Sequence, residues 1–173
     1  MTQAPTQAPA TTASNIPSGY TACTPNTATN LGQWNYLVCK DWVGSEAYYK
    51  GGSSLNDFSM YVVNSGNTQW GTQAFTNKIN VTSGHTYSYS ITLNSDKAGA
   101  SVLLKDDTNS VELQTKTLSS GDNVYSGTFT PASGQVNFIF DLGLLGAGTT
   151  VKVTGFSLKD TTPATTAAPT QAP

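Results

Sequence analysis

The chain has 173 residues, a formal net charge of −2 from ten acidic and eight basic side chains, and only 10% charged residues. A phosphate-binding surface needs clustered cations, and scattered lysines without any arginine do not supply one, so the charge pattern argues against a nucleic-acid partner. No apolar run approaches the ~20 residues that a membrane-spanning helix needs, so no membrane partner is expected either.

From the N-terminus, the chain opens on a repeated word. Thr-Gln-Ala-Pro fills 2–5 and 6–9 and returns at 170–173. Thr, Ala, Pro and Gln cannot bury enough apolar surface to offset chain entropy, and proline stiffens such segments into extended spacers. The sequence therefore predicts disordered linkers over 1–14 and 161–173, flanking one domain over 15–160 whose length suits a single core. Such tracts are typical of O-glycosylated stalks in secreted, multi-module chains. Cys23 and Cys39 are the only cysteines. An even pair in a secreted chain predicts a disulfide, with two buried thiols as the alternative. A closed loop of about sixteen residues would contribute ~3 kcal/mol. Asn80-Val81-Thr82 is an N-glycosylation triplet compatible with secretion.

Strand signals recur between turn residues, and helix signals are nearly absent. Trp34–Val38 is a short apolar run, and Trp42 falls in a loop after Cys39. Ala47–Lys50 is aromatic-rich and stops at Gly51-Gly52. Phe58–Val63 is β-branched and aromatic, and Asn64-Ser65-Gly66-Asn67 ends it. Gln69–Phe75 reads as a strand, followed by Ile79–Val81 and a turn at Ser83-Gly84. In Thr86–Leu93, Tyr87, Tyr89, Ile91 and Leu93 share one face, and Ser88, Ser90 and Thr92 the other. Ser101–Lys105 and Val111–Thr117 flank Asp106-Asp107-Thr108-Asn109 as a hairpin. Asn123–Phe129 alternates again, with Tyr125 and Phe129 together. Gln135–Leu142 turns Val136, Phe138, Phe140 and Leu142 inward, and Asn137, Ile139 and Asp141 outward. Thr150–Leu158 closes the domain. Short strands at such spacing mark a sandwich or barrel. About nine or ten strands in two antiparallel sheets fit an all-β jelly-roll β-sandwich.

Five motifs stand in a recognisable order. They are Trp70-Gly71-Thr72-Gln73, then Gly84-His85-Thr86-Tyr87 running into Ser90-Ile91, then Tyr125-Ser126-Gly127-Thr128-Phe129. Phe138-Ile139-Phe140-Asp141-Leu142-Gly143 and a last strand ending Phe156-Ser157-Leu158 complete the set. This order resembles the carbohydrate-binding modules of families 4, 9, 16 and 22, and family 4 most. The resemblance implies a non-catalytic jelly roll with a concave sheet that takes one glycan chain: β-glucan, amorphous cellulose or xylan. By position it gives Trp70 a sugar-stacking role and Gln73 a hydroxyl contact. It makes Asn137 and Asp141 paired polar cleft residues. The family often holds a structural calcium ion with an acidic residue where this chain has Thr154. The family's usual acidic opening is missing as well, which counts against that ion here.

The chemistry of a sugar site agrees with the resemblance. A pyranose offers apolar C–H faces to aromatic rings and hydroxyl edges to amides and carboxylates. Three Trp, eight Tyr and six Phe exceed what one such core needs, so some aromatics are expected outside it. Trp42 is expected at the surface. Trp34 shares a face with Tyr36, either packed or available to a ligand. Tyr48 and Tyr49 are adjacent and must face opposite ways, and Tyr48 is taken as the outward one. Catalysis finds little support. His85 is the only histidine and has no evident Ser or Asp partner. Nothing in the sequence brings two acids to the about 5–10 Å separation that glycoside hydrolysis uses, and the Cys/His spacing of a metal site is absent. The expected protein is a secreted, monomeric, non-catalytic module that binds soluble or amorphous β-glycan chains, β-glucan before xylan, and serves a covalently linked glycan-degrading enzyme. A structural spacer sandwich and a small glycoside hydrolase or lyase are the alternatives.

Overall fold

The computed structural model describes residues 16–66 and 68–164. The linker expectations for 1–14 and 161–173 lie outside the described residues except at 161–164, where Thr161 and Thr162 hydrogen-bond to the Thr86 backbone. In chain order come β1 (Thr21–Ala22), β2 (Thr29–Asn30), β3 (Trp34–Val38), the helical turn α1 (Lys40–Val43), β4 (Glu46–Ser54) and β5 (Asp57–Asn64). A 3-10 turn (Gln69–Gly71) leads into β6 (Thr72–Thr76) and β7 (Ile79–Asn80). Then follow β8 (Tyr87–Ser95), β9 (Ser101–Asp106), β10 (Val111–Thr117), β11 (Gly121–Phe129), β12 (Gln135–Val136), β13 (Phe138–Asp141) and β14 (Thr149–Asp160).

Two six-stranded antiparallel sheets form a sandwich, in the orders β1-β4-β5-β14-β8-β11 and β10-β9-β13-β6-β3-β2. Strand β8 shows why. Its residues alternate strictly between buried and half-buried, because Tyr, Ile and Leu sit at every second position and the pleat sends them to one side. The inner faces meet over Trp34, Phe58, Met60, Ile91, Tyr125, Phe138 and Phe140, all essentially inaccessible. Trp34 of β3 stacks on Phe58 of the opposite sheet, with ring centroids 5.4 Å apart, and on Phe140 of its own sheet at 6.4 Å. Its Nε1–H donates to Leu55 O. Trp34 is therefore a packing residue, which corrects its expected role as a sugar contact. Tyr125 is also inside, its hydroxyl donating to Val102 O at 3.1 Å, and burial raises its pKa.

The expected Cys23–Cys39 bridge is not formed. Both are free, buried thiols. Cys23 packs into the inter-sheet core, whereas Cys39 lies outside that cluster, before the first residue of α1. Burial pushes the Cys23 thiol up to about 12 and raises that of Cys39, so both are protonated and unreactive at neutral pH. Titration of denatured, unreduced protein should find two free thiols. Finding none would restore the bridge.

The expected strand over 69–75 is divided: Gln69–Gly71 turns first, and only Thr72–Thr76 is extended. The end of β13 meets that turn, with Leu142 N donating to Thr72 O and Gly143 N to Gln69 O. The approach is close enough that a Cβ on Gly143 would stand 1.7 Å from Thr68 O. Gly143→Ala should therefore force the turn away from β13. It should cost about 1–3 kcal/mol, as overpacked sites do, and shift Trp70 fluorescence.

Strand pairing reaches past β14. Thr161 N donates to Thr86 O and Thr86 N to Thr162 Oγ1, both at 2.8 Å. His85 Nδ1 lies 2.7 Å from Asp160 Oδ2, and this bond, with further help from Thr162, lowers the Asp160 pKa to about 2. A depressed carboxylate stabilises above its unfolded pKa of ~3.9 and loses that contribution as pH falls through the folded value. Protection of the Thr161 amide, judged against the intrinsic exchange rate at each pH, should therefore fall between about pH 4 and pH 2. Unchanged protection would show that the pair does not anchor this end.

Candidate functional site

The β10-β9-β13-β6-β3-β2 sheet turns one face to the core and one outward. Burial of Ala74 in the core sends its neighbours Gln73 and Phe75 to the outer face, as Phe138 and Phe140 do for Ile139 and Asp141. Register then aligns the outward residues into rows across the strands. One row runs Glu112, Lys105, Ile139, Phe75, Asn35, Asn30. The next runs Thr115, Leu103, Asp141, Gln73, Leu37. Six strands at ~4.8 Å spacing make this face ~24 Å wide.

A polar network crosses the centre of the face. Gln73 Nε2 donates to Asp141 Oδ1 at 2.6 Å, and Lys105 Nζ lies 3.5 Å from Asp141 Oδ2 and 3.8 Å from Asp107 Oδ1. Asp141 retains 4% of its surface, and its outward neighbours Leu103 and Ile139 retain 5% and 6%. The Gln73 amide is thus held through its nitrogen, leaving its oxygen as an acceptor beside a lysine donor. At the β2 end, Asn30 Nδ2 donates to Asn35 Oδ1 at 2.8 Å and to Asn77 Oδ1 at 2.7 Å, and Asn35 Nδ2 donates to Asn77 Oδ1 at 2.9 Å.

The sheet ends where β3 leaves and β6 enters, and both large exposed aromatics stand there. Trp42 on α1 is 69% exposed and Trp70 on the 3-10 turn 46%. The two elements touch, and Cys39 N donates to Gly71 O between them. Leu144, just beyond β13, is also exposed. Exposed tryptophans on adjoining elements offer flat apolar surface at the end of a polar face.

The expected residues thus divide. Gln73 and Asp141 are brought together, and Trp42 and Trp70 stand on adjoining elements at the sheet's end. Asn137 braces a turn: its Oδ1 accepts from Thr108 N at 2.8 Å and Thr108 Oγ1 at 2.7 Å. Tyr48 faces outward while Tyr49 packs on Tyr36 at 5.1 Å, but Tyr48 belongs to the opposite sheet, away from this face. Lys105, Phe75, Asn30, Asn35 and Asn77 were missed. Alternation marks Lys105 and Asn35 as outward, but nothing local says that they share a face with Gln73. Among the described residues no three His, Cys, Asp or Glu side chains converge as metal ligands. The position that would hold a calcium-binding acid is the exposed Thr154, at the bulge of β14. These residues do not fit a carboxylate calcium site.

The architecture is the jelly-roll sandwich of carbohydrate-binding modules. No family model matches the sequence, and no curated protein does. Among solved structures, a family 4 carbohydrate-binding module is 19% identical, with a TM-score of 0.58 over 80% of this chain and 94% of that one. The ligand-free CBM1 of BiXyn10A is 10% identical, with a TM-score of 0.53 over 86% and 94%. The N-terminal cellulose-binding domain of β-1,4-glucanase C from Cellulomonas fimi is 14% identical, with a TM-score of 0.50 over 82% and 99%. At these identities the likeness is one of fold.

Proposed function

We propose that this protein is a secreted, non-catalytic carbohydrate-binding module. It takes a soluble or amorphous β-glycan chain, β-glucan before xylan, along the outer face of the β13 sheet. The observation that carries the reading is the Gln73–Asp141–Lys105 network at the centre of a face that ends in Trp42 and Trp70. Outward side chains as covered as Leu103 and Ile139 support a recessed, concave floor. Gln73 Oε1 and the Lys105 ammonium are an acceptor and a donor for neighbouring hydroxyls, and Asp141 orients both. Trp70 stacks on a ring face, and Trp42 extends that surface. A spacer module has no use for two exposed tryptophans on adjoining elements. Tethered to a catalytic domain, the module raises the local concentration of polysaccharide around it.

Calorimetric titration with cello-, laminari- and xylo-oligosaccharides tests this reading. Saturable binding with no release of reducing ends supports it. Turnover of any of them, or no heat from all of them, overturns it.

A further inference from the structure

Tyr48 faces outward on the opposite sheet, and the glycan face gives it no task. It does line a cavity. A volume of about 230 Å³ opens at the edge of the sandwich, between β1, β4 and the start of α1, walled by Ala22, Pro25, Val38, Lys40, Glu46 and Tyr48. We propose that this cavity is a second carbohydrate subsite that takes a single neutral pyranose ring, separate from the face of Gln73 and Asp141.

Size limits the occupant first. Sites for drug-sized ligands run from about 300 to 1,000 Å³, so this cavity holds something smaller, on the scale of one ring. Chemistry limits it next. Ala22, Pro25 and Val38 give an apolar lining, and the half-buried Tyr48 is the aromatic residue of the wall, the side-chain type that the C–H face of a sugar requires. Lys40 and Glu46 stand at the same cavity with Nζ and Oε2 3.9 Å apart and side chains 51% and 44% exposed. A long, exposed ion pair contributes little, so each partner can turn to a hydroxyl at small cost. The ammonium donates and the carboxylate accepts, and a vicinal diol offers both roles. One charge of each sign favours a neutral ring over a uronic acid. Lys40 lies on the same helical turn as Trp42.

The ligand class rests on the proposed function; the site rests on this cavity alone. The test separates them by location. Amide signals of 15N-labelled full-length protein are followed during titration with cellotetraose and xylotetraose. In a Trp70→Ala/Gln73→Ala variant, the signals of Ala22, Ser45, Ala47 and Tyr48 should still move, while those of β6 and β13 fall silent. Tyr48→Ala should raise the dissociation constant read at Ala22 and Ser45 at least tenfold and leave the β6 and β13 response intact. Should Tyr48→Ala fail to fold, the exposed pair Lys40→Ala/Glu46→Gln is read in the same way. Signals around the cavity that stay still at the highest sugar concentration, or that move as in the parent in a folded Tyr48→Ala or Lys40→Ala/Glu46→Gln variant, overturn the proposal. Movement at the cavity in the parent protein with none on β6 and β13 would overturn the main-face reading instead.

Discussion

Trp34→Ala is expected to destabilise the domain by about 3–5 kcal/mol, the cost of removing a large aromatic side chain from a packed core. The ring is inaccessible and bridges the sheets through Phe58, and it stacks on Phe140 as well. Truncation leaves a void between three strands and orphans the bond to Leu55 O. In thermal unfolding the midpoint should fall by roughly 10 °C. A loss of a degree or two would mean that the sheets close over the gap.

Trp70→Ala should do the opposite: leave the fold standing and weaken glucan binding at least tenfold. Nearly half of this side chain is exposed, so its removal opens no core cavity. A stacked aromatic at a binding hot spot is commonly worth ~2 kcal/mol or more, and each 1.4 kcal/mol is about tenfold in affinity. If the variant unfolds, Trp70 is a packing residue of the 3-10 turn. If it folds and binds like the parent, Trp42 carries the stacking.

Much of the fold was legible because the side-chain period of a strand is written in consecutive residues. Tyr87, Tyr89, Ile91 and Leu93 read as one face of β8 and are one face. Phe138 and Phe140 read as inward, and Ile139 and Asp141 as outward, as β13 places them. Tyr48 and Tyr49 divide between faces as two adjacent strand residues must. What alternation cannot supply is which strands are neighbours. Gln73 and Asp141 hydrogen-bond across 68 residues of sequence, and Lys105 joins them from a third strand. Those partnerships are set by sheet order, not by any local pattern. The same gap hid that Tyr48 sits on the other sheet. Trp34 was ambiguous because an inward-facing aromatic run looks the same whether its face meets a core or a ligand. The four-residue α1 is too short to show a helical period, so Trp42 read as a loop residue. The cysteine pair misled because spacing limits a disulfide only loosely, and the packing of Cys23 into the core is a tertiary fact.

The central claim is that the outer face of the β13 sheet holds a glycan chain through Gln73, Asp141 and Lys105. Native-gel retardation of the parent protein and Gln73→Ala, over gels containing barley β-glucan, laminarin, hydroxyethylcellulose or soluble xylan, tests it most directly. The account predicts that at least one neutral β-glycan, β-glucan before xylan, slows the parent strongly, and that Gln73→Ala, though less stable for want of its bond to Asp141, remains folded and runs close to its mobility in a sugar-free gel. A parent that none of the four retards, or a folded Gln73→Ala variant retarded as strongly as the parent, would contradict it.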